Sequence, residues 1–428
     1  MRRGHGGSRV STQGRSFFAL VALVTTLSTV GCGPKERIDL LYPHSGDGAR
    51  ALFQVAFSTE VTAQENFVLR PDEYGGVCVD NRRNTIYVGS RDGRLLALDQ
   101  DDGQERWSLD VGGAVSSTPW LGADGKLLVG TDDGALLRID PETREILWRY
   151  ATRGTVRRDP IVHRGIVYFV NSRDEVRAVD MRSGEHIWQH SREFQRDFTV
   201  YGKAGLAFVA NDEAPQAGGR AGDRSAEQEH AQVGVLYGGF DDGRVVAIGA
   251  TTGSALWITN LAPPGDDEFV DVDSTPLVDL KHQQLIVSSQ ATGVHALALE
   301  DGAKIWSYPV RGAGSVVKAP GDLYIFTSAM EGIFAVDGAG ELRWHEKFSA
   351  GTPSTPLVVH DTTVYVTHSE VGLLAYDAQS GEFLAGIETG SGMSSVPVWD
   401  PITDRIYATS NRGMLFALQL RSSLSPGS

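Results

Sequence analysis

Cysteine is nearly absent: Cys32 and Cys78 are the only two in 428 residues. That count excludes a disulfide-stapled scaffold, so a well-packed core must hold the fold. Long apolar runs are also scarce. The stretch Phe17 to Val24 (FFALVALV) is too short to cross a bilayer. Cations are outnumbered, 39 Lys and Arg against 54 Asp and Glu, for a net charge of −15. Such a surface argues against nucleic acid and anionic lipid head groups as partners. Catalytic motifs are missing as well. We find no G-x-S-x-G, no P-loop, no H-E-x-x-H and no adjacent cysteine pair.

The N-terminus carries targeting information. Arg2, Arg3, Arg9 and Arg15 precede the short apolar run, and Ser28-Thr29-Val30-Gly31-Cys32 follows it. A basic region, a short apolar region and small residues before Cys predict a cleaved lipoprotein signal over residues 1–31. Cys32 then becomes the acylated (palmitate-bearing) first residue. At about 0.8 kcal/mol per buried CH₂, two acyl chains anchor stably. An ordinary signal peptide with a chance Cys is the alternative. Gly33, rather than Asp, after the Cys is compatible with passage to the outer membrane. Cleavage removes four Arg and no acid, taking the net charge from −15 to −19. Residues 32–50 are expected to be the lipidated Cys and a linker. Cys78, in GGVCVD, is expected to be a buried structural thiol.

What the chain has in abundance is a repeated phrase. LLALDQDDGQERW (95–107) returns as LLRIDPETREILW (136–148), VRAVDMRSGEHIW (176–188), VVAIGATTGSALW (245–257), VHALALEDGAKIW (294–306) and IFAVDGAGELRW (333–344). LLAYDAQSGEFLA (373–385) ends on Ala385, and MLFALQL (414–420) has no second half. Alternation before Asp marks a half-buried strand. Asp with Ser or Thr starts a turn and Gly supplies positive φ. The Trp opens the next strand and packs against the neighbouring repeat.

Successive Trp residues lie 41 (107 to 148), 40 (148 to 188) and 38 (306 to 344) apart. About forty residues accommodate four short strands, one blade of a propeller. The pattern predicts an all-β, eight-bladed β-propeller over 51–420, with 421–428 as a tail. The structural repeat residues are Phe57, Trp107, Trp148, Trp188, Trp257, Trp306 and Trp344. Eight third strands are followed by only seven fourth strands. AFSTEV (56–61) matches RWSLDV (106–111), with Phe57 in the Trp place, and is expected to close the last blade.

Three places break the repeat. Pro119, Pro160, Pro356 and Pro397 lie 12 residues past each Trp position, but Trp257 to Pro276 is 19. The longer connection is PPGDDEFVDVDSTP (263–276). After Trp188 no Pro arrives on time, and RDFTVYGKAGLAFV (196–209) takes its place. Residues 211–232 are polar and rich in Gly and Ala, and are expected to form a flexible insertion in the fourth blade. Departures from a rigid repeated scaffold are where function is expected.

The ALD…TG…W repeat resembles the quinoprotein (PQQ-type) eight-bladed propeller repeat. With the lipobox, the bare propeller and DVDSTP, the chain resembles the BamB family of outer-membrane β-barrel assembly lipoproteins. The resemblance implies a non-catalytic scaffold, anchored in the outer membrane and facing the periplasm. It implies a monomer within a complex, docked to the barrel-forming subunit through one propeller face. The contacts it implies are Asp271 and Asp273, together with Phe198, Val200 and Tyr201 of FTVYG. Tyr201 stands where the family has Arg, and Lys203 is near enough to supply the charge. On residue chemistry alone, the two Asp could instead cap a longer connection, and Phe198 and Val200 could be blade packing. The other functional class is an envelope propeller that binds a small ligand or another complex as a sensor. No cofactor or metal is expected: the repeat's enzyme relatives typically have a vicinal Cys pair, Ca²⁺ ligands in the central funnel and a longer chain, whereas Cys-Cys is absent here and the mature chain is near the minimum for a bare propeller. His186 and His190 flank Trp188 on a strand and read as a surface pair.

Overall fold

The computed structural model describes residues 36, 38–42, 52–62, 75–191, 204–211, 233–262, 271–348 and 351–421. Alternating apolar residues between turn signals fold as short antiparallel strands, 33 of them, with no helix among the described residues. They make eight sheets, seven of four strands and one of five. Blade 1 spans 77–110, blade 2 120–151, blade 3 161–190 and blade 4 206–260. Blade 5 spans 277–308, blade 6 313–346, blade 7 357–389 and blade 8 398–420. Within blades 1 to 7 the chain order is the spatial order. First strands of neighbouring blades lie against one another and form the inner ring. In blades 2, 3, 5, 7 and 8 the first strand begins directly after Pro119, Pro160, Pro276, Pro356 and Pro397. A residue without N–H suits the position just outside a ladder.

The ring closes with the N-terminal strand. Phe53–Glu60 pairs with Met414–Leu420, and Phe57 stands opposite Ala417 as Trp107 stands opposite Ala97. Blade 8 then packs on blade 1 through Tyr407, Leu415 and Ala417 against Val77, Ile86 and Val88. Asn81 Nδ2 and Gln100 Nε2 both donate to the buried Asp400 carboxylate, each at 2.9 Å. These bonds span 300 or more residues of chain, so the first and last blades behave as neighbours.

The repeat has a packing logic. In every blade the third and fourth strands carry a bulge just before the Trp position. A bulge re-aims the following side chain. Each ring then sits on the turn Gly of the next blade. A Cβ at Gly184 would lie 2.7 Å from Trp148 Cδ2, and one at Gly302 2.6 Å from Trp257 Cε3. That Gly therefore supplies both a positive φ and an empty space. Blade 2 departs from the pattern: Arg144 (φ +63°) takes the Gly place and lays its guanidinium 6.0 Å from the Trp107 ring centre. Indole N–H groups tie blades together as well, Trp188 to Ala250 O at 2.9 Å and Trp257 to Leu299 O at 3.0 Å. Blade 6 has a turn one residue shorter, and the Trp306 N–H behind it is buried without an acceptor.

Two features fall outside the sequence expectation. Ile38–Leu41, inside the stretch read as linker, is a strand paired with the outer edge of blade 7. And the Trp place left empty at Ala385 is filled from elsewhere: Phe53, 2% exposed, joins Ala385 and Tyr365 in one cluster.

The up-and-down strand path sorts the loops onto two faces. Connections between blades and the turns between second and third strands share one, here called the connection face. The Asp-to-Gly turns share the other. Most of the 211–232 insertion lies outside the described residues. Its ends meet at Asn211 N to Val233 O (3.3 Å), on the face opposite the connections.

Candidate functional site: the connection face at blades 3 to 5

The connection into blade 5 begins with a repeated device. Val272 is fully buried and its N–H donates to Phe240 O, as Val115 donates to Ser90 O and Val156 to Thr131 O. Gly239, where a side chain would collide with Val272, makes room for it. Asp271 is 8% exposed, and its carbonyl accepts from Gln290 N at 3.0 Å. The same bond joins Ala114 to Asp132 and Thr155 to Ser172 in other connections, so it belongs to the scaffold. Asp273 is half-buried. Gln290 Nε2 lies 3.5 Å from its Oδ2, and Arg158 Nη2 donates to its carbonyl at 3.1 Å.

Arg158 belongs to the connection into blade 3, so it reaches past blade 4 to touch Asp273. Most connections put hydroxyl residues before the Pro, as in Ser116-Ser117-Thr118. Here Arg157, Arg158 and Asp159 replace them. Burial lowers the Arg158 pKa, while Asp273 and Asp159 oppose that shift, and a guanidinium stays charged regardless. Arg157 holds Asp132 of blade 2 with two bonds, 2.8 and 3.0 Å. Asp159 keeps access to solvent yet is crowded by protein on most sides, and that desolvation raises its carboxyl to about 6 against the pull of Arg158. Two cations and several carboxylates thus face the ring's connection side between blades 2 and 5. The sequence reading passed over Arg157, Arg158 and Asp159; three charges in the place of three hydroxyl residues was the signal.

Phe198, Val200, Tyr201 and Lys203 lie outside the described residues, as does Cys32. The described end of their connection is Ala204–Gly205, where a Cβ at Gly205 would run into the Thr275 hydroxyl. The end of one irregular connection therefore touches the DVDSTP segment of the next. His186 bonds Tyr150 (3.0 Å) and His190 bonds Gly253 O (2.9 Å), so the two histidines serve blade contacts rather than each other. Among the described residues, no three His, Cys, Asp or Glu side chains gather as metal ligands. Burial pushes the Cys78 thiol up to about 12, which leaves it protonated and unreactive.

Eight four-stranded blades, stapled by ring-on-glycine contacts and closed by an N-terminal strand, define a PQQ-type repeat propeller with no further domain in its described residues. The profile of the family described as outer membrane protein assembly factor BamB matches residues 61–197, 91–339 and 290–423, and the chain belongs to that family. The BamB of Shewanella oneidensis is 23% identical over 344 residues, 79% of this chain and 69% of that one. That of Nitrosomonas eutropha is 22% identical over 226 residues, 52% of this chain and 48% of that one. The crystal structure of BamB from Moraxella catarrhalis superposes with a TM-score of 0.67 at 17% identity, over 86% of this chain and all of the other. The same fold recurs in the quinohemoprotein alcohol dehydrogenase of Comamonas testosteroni (TM-score 0.63, 14% identity, 88% of this chain and 78% of that one).

Proposed function

We propose that the chain is a non-catalytic, lipid-anchored scaffold of outer-membrane protein assembly. Cys32 carries the lipid and the propeller faces the periplasm. The connection face at blades 4 and 5 docks the barrel-forming subunit as one copy within the complex. One observation carries this reading. In a chain of the BamB family, the DVDSTP connection and the connection holding Phe198 to Lys203 meet at Thr275 and Gly205.

The burial pattern divides the labour between the two Asp. Asp271 is enclosed and shapes the connection. Asp273, half-buried beside Arg158, is the less enclosed of the two and the one offered to a partner. Charge at the rim of an interface sets register and rate of association more than affinity. Phe198, Val200 and Tyr201 are the apolar and aromatic anchor, with Lys203 as the cation.

The test is co-purification from detergent-solubilised envelopes. Asp273→Asn, which keeps the side chain's shape, is expected to weaken capture of an outer-membrane barrel protein with periplasmic domains that the wild type brings down, and Asp273→Lys to abolish it at some cost in melting temperature, since it sets a second cation beside Arg158. Capture of that protein at wild-type level by both Asp273→Lys and an Asp271→Ala/Asp273→Ala double variant would remove the site. Its absence from the wild-type eluate would remove the function, and the ligand-binding propeller would take its place.

A further inference from the structure

The N-terminal segment holds the tether in a defined place. Glu36 Oε2 accepts from Ser410 Oγ at 2.6 Å, and its carboxylate also bonds Ser391 Oγ. Ser391 lies in the connection between blades 7 and 8, and Ser410 begins a second-to-third strand turn, so both are on the connection face. From there Ile38–Leu41 runs down the outer edge of blade 7, with Ile38 opposite Thr389 and Leu41 opposite Gly386. Ile38, Leu40 and Leu41 pack on the blade's apolar clusters.

We propose that residues 36–41 are a strap that fixes where the lipid tether leaves the ring, so that the connection face is turned toward the bilayer. This rests on the reading of Cys32 as the lipidated residue. Three residues separate Cys32 from Glu36, a reach of at most about 14 Å over the four steps. A blade strand of five to seven residues is roughly 17–23 Å tall, so a tether leaving the connection face is too short to bring the opposite face to the membrane. Without the strap, the free chain would run from Cys32 to Phe53, about 70 Å extended, and would set no orientation. The strap sits at the 7–8 seam and the Asp273 cluster lies across the ring on the same face. Membrane and protein partner would then be engaged from one side, opposite the face where Asn211 meets Val233.

The test uses the full lipidated chain, carrying Cys78→Ala, in phosphatidylethanolamine–phosphatidylglycerol vesicles with a head-group quencher. A fluorophore is placed at Glu370→Cys, on the connection face of blade 7, or at Thr362→Cys, on the opposite face of the same blade. Quenching at 370 is expected to exceed that at 362 several-fold. Releasing the strap with Glu36→Ala and Leu40→Asn should bring the two labels to similar values while the propeller melts as before. Equal quenching in the strapped protein, or a difference that survives release, would overturn the proposal. A Cys32→Ala chain that still binds vesicles, or absence of palmitate labelling, would overturn the lipidation reading and the proposal with it, an outcome distinct from equal quenching of the lipidated chain.

Discussion

Blades 4 and 7 have the same four strands but opposite outer edges. In blade 4 the outer strand, Ala255–Asn260, alternates between exposed and half-buried, with Trp257 and Thr259 turned onto Gly302 of the next blade. In blade 7 the outer strand, Phe383–Thr389, is mostly buried and has Ala385 where the Trp belongs. The cause is the neighbour. Blade 5 offers Gly302 in a continuous turn to receive the Trp257 ring. Blade 8 has no such turn, because its fourth strand comes from the N-terminus. Nothing there can receive an indole, and Phe53 fills the space from the opposite direction. Tyr365 meets Phe53 at 6.4 Å between ring centres, where Tyr237 meets Trp257 at 5.9 Å. The same aromatic contact is built from a residue 332 positions away in the chain rather than from the blade itself. The fifth strand, Ile38–Leu41, then covers the exposed edge.

The comparison can be broken first at the indole staple. Trp257→Ala should cost about 3 kcal/mol, the low end of the range for truncating a large aromatic because the ring is half-buried, read as a shift of the urea midpoint. Phe53→Ala should cost about 3 kcal/mol, and a double-mutant cycle sharpens the point. Ala385→Trp should destabilise the wild type by overpacking and recover part of the loss in the Phe53→Ala background. Additive losses would show that Phe53 and Ala385 do not share one space.

Acid provides a third, smaller effect. His295, 5% exposed in blade 5, is held near 4 by burial, with Lys304 adding to the shift. Its folded value lies below the unfolded one of about 6.5. Below that pH the unfolded chain binds the proton and the folded chain does not. Stability therefore falls from pH 6.5 toward 4, by up to about 1.4 kcal/mol per pH unit. Asp159, raised to about 6, works in the opposite sense, adding stability as pH falls from 6 toward 4. Relative to the midpoint at pH 7.5, the urea midpoint at pH 5 should rise in His295→Gln and fall further in Asp159→Asn. The smallest change is Arg144→Gly. It restores the repeat's own residue at a positive φ and loses a cation–π contact, so the net effect should stay under about 1 kcal/mol.

Where the sequence and the structure part, chain distance is the reason. Trp107, Trp148 and Trp188 announce their blades because turn, strand and bulge are all encoded within a dozen residues. Asp271 and Asp273 look equivalent in DVDSTP, but the inner ring buries one and leaves the other beside Arg158, 115 residues earlier. No local signal reports that meeting. Glu36 is equally opaque: an acid in a linker becomes a clasp only when Ser391 and Ser410 are brought to it.

By itself the sequence determined the class, the eight blades, their strand order and the closing strand at Phe57, since each depends on a period or an alternation that any one repeat displays. Tertiary structure alone decided that Phe53 replaces the missing Trp, that 38–41 pairs with the edge of blade 7, and which residue of the Asp pair is the more enclosed. Those depend on ring closure, which brings the two ends of a 428-residue chain together and leaves no trace in the local pattern of either.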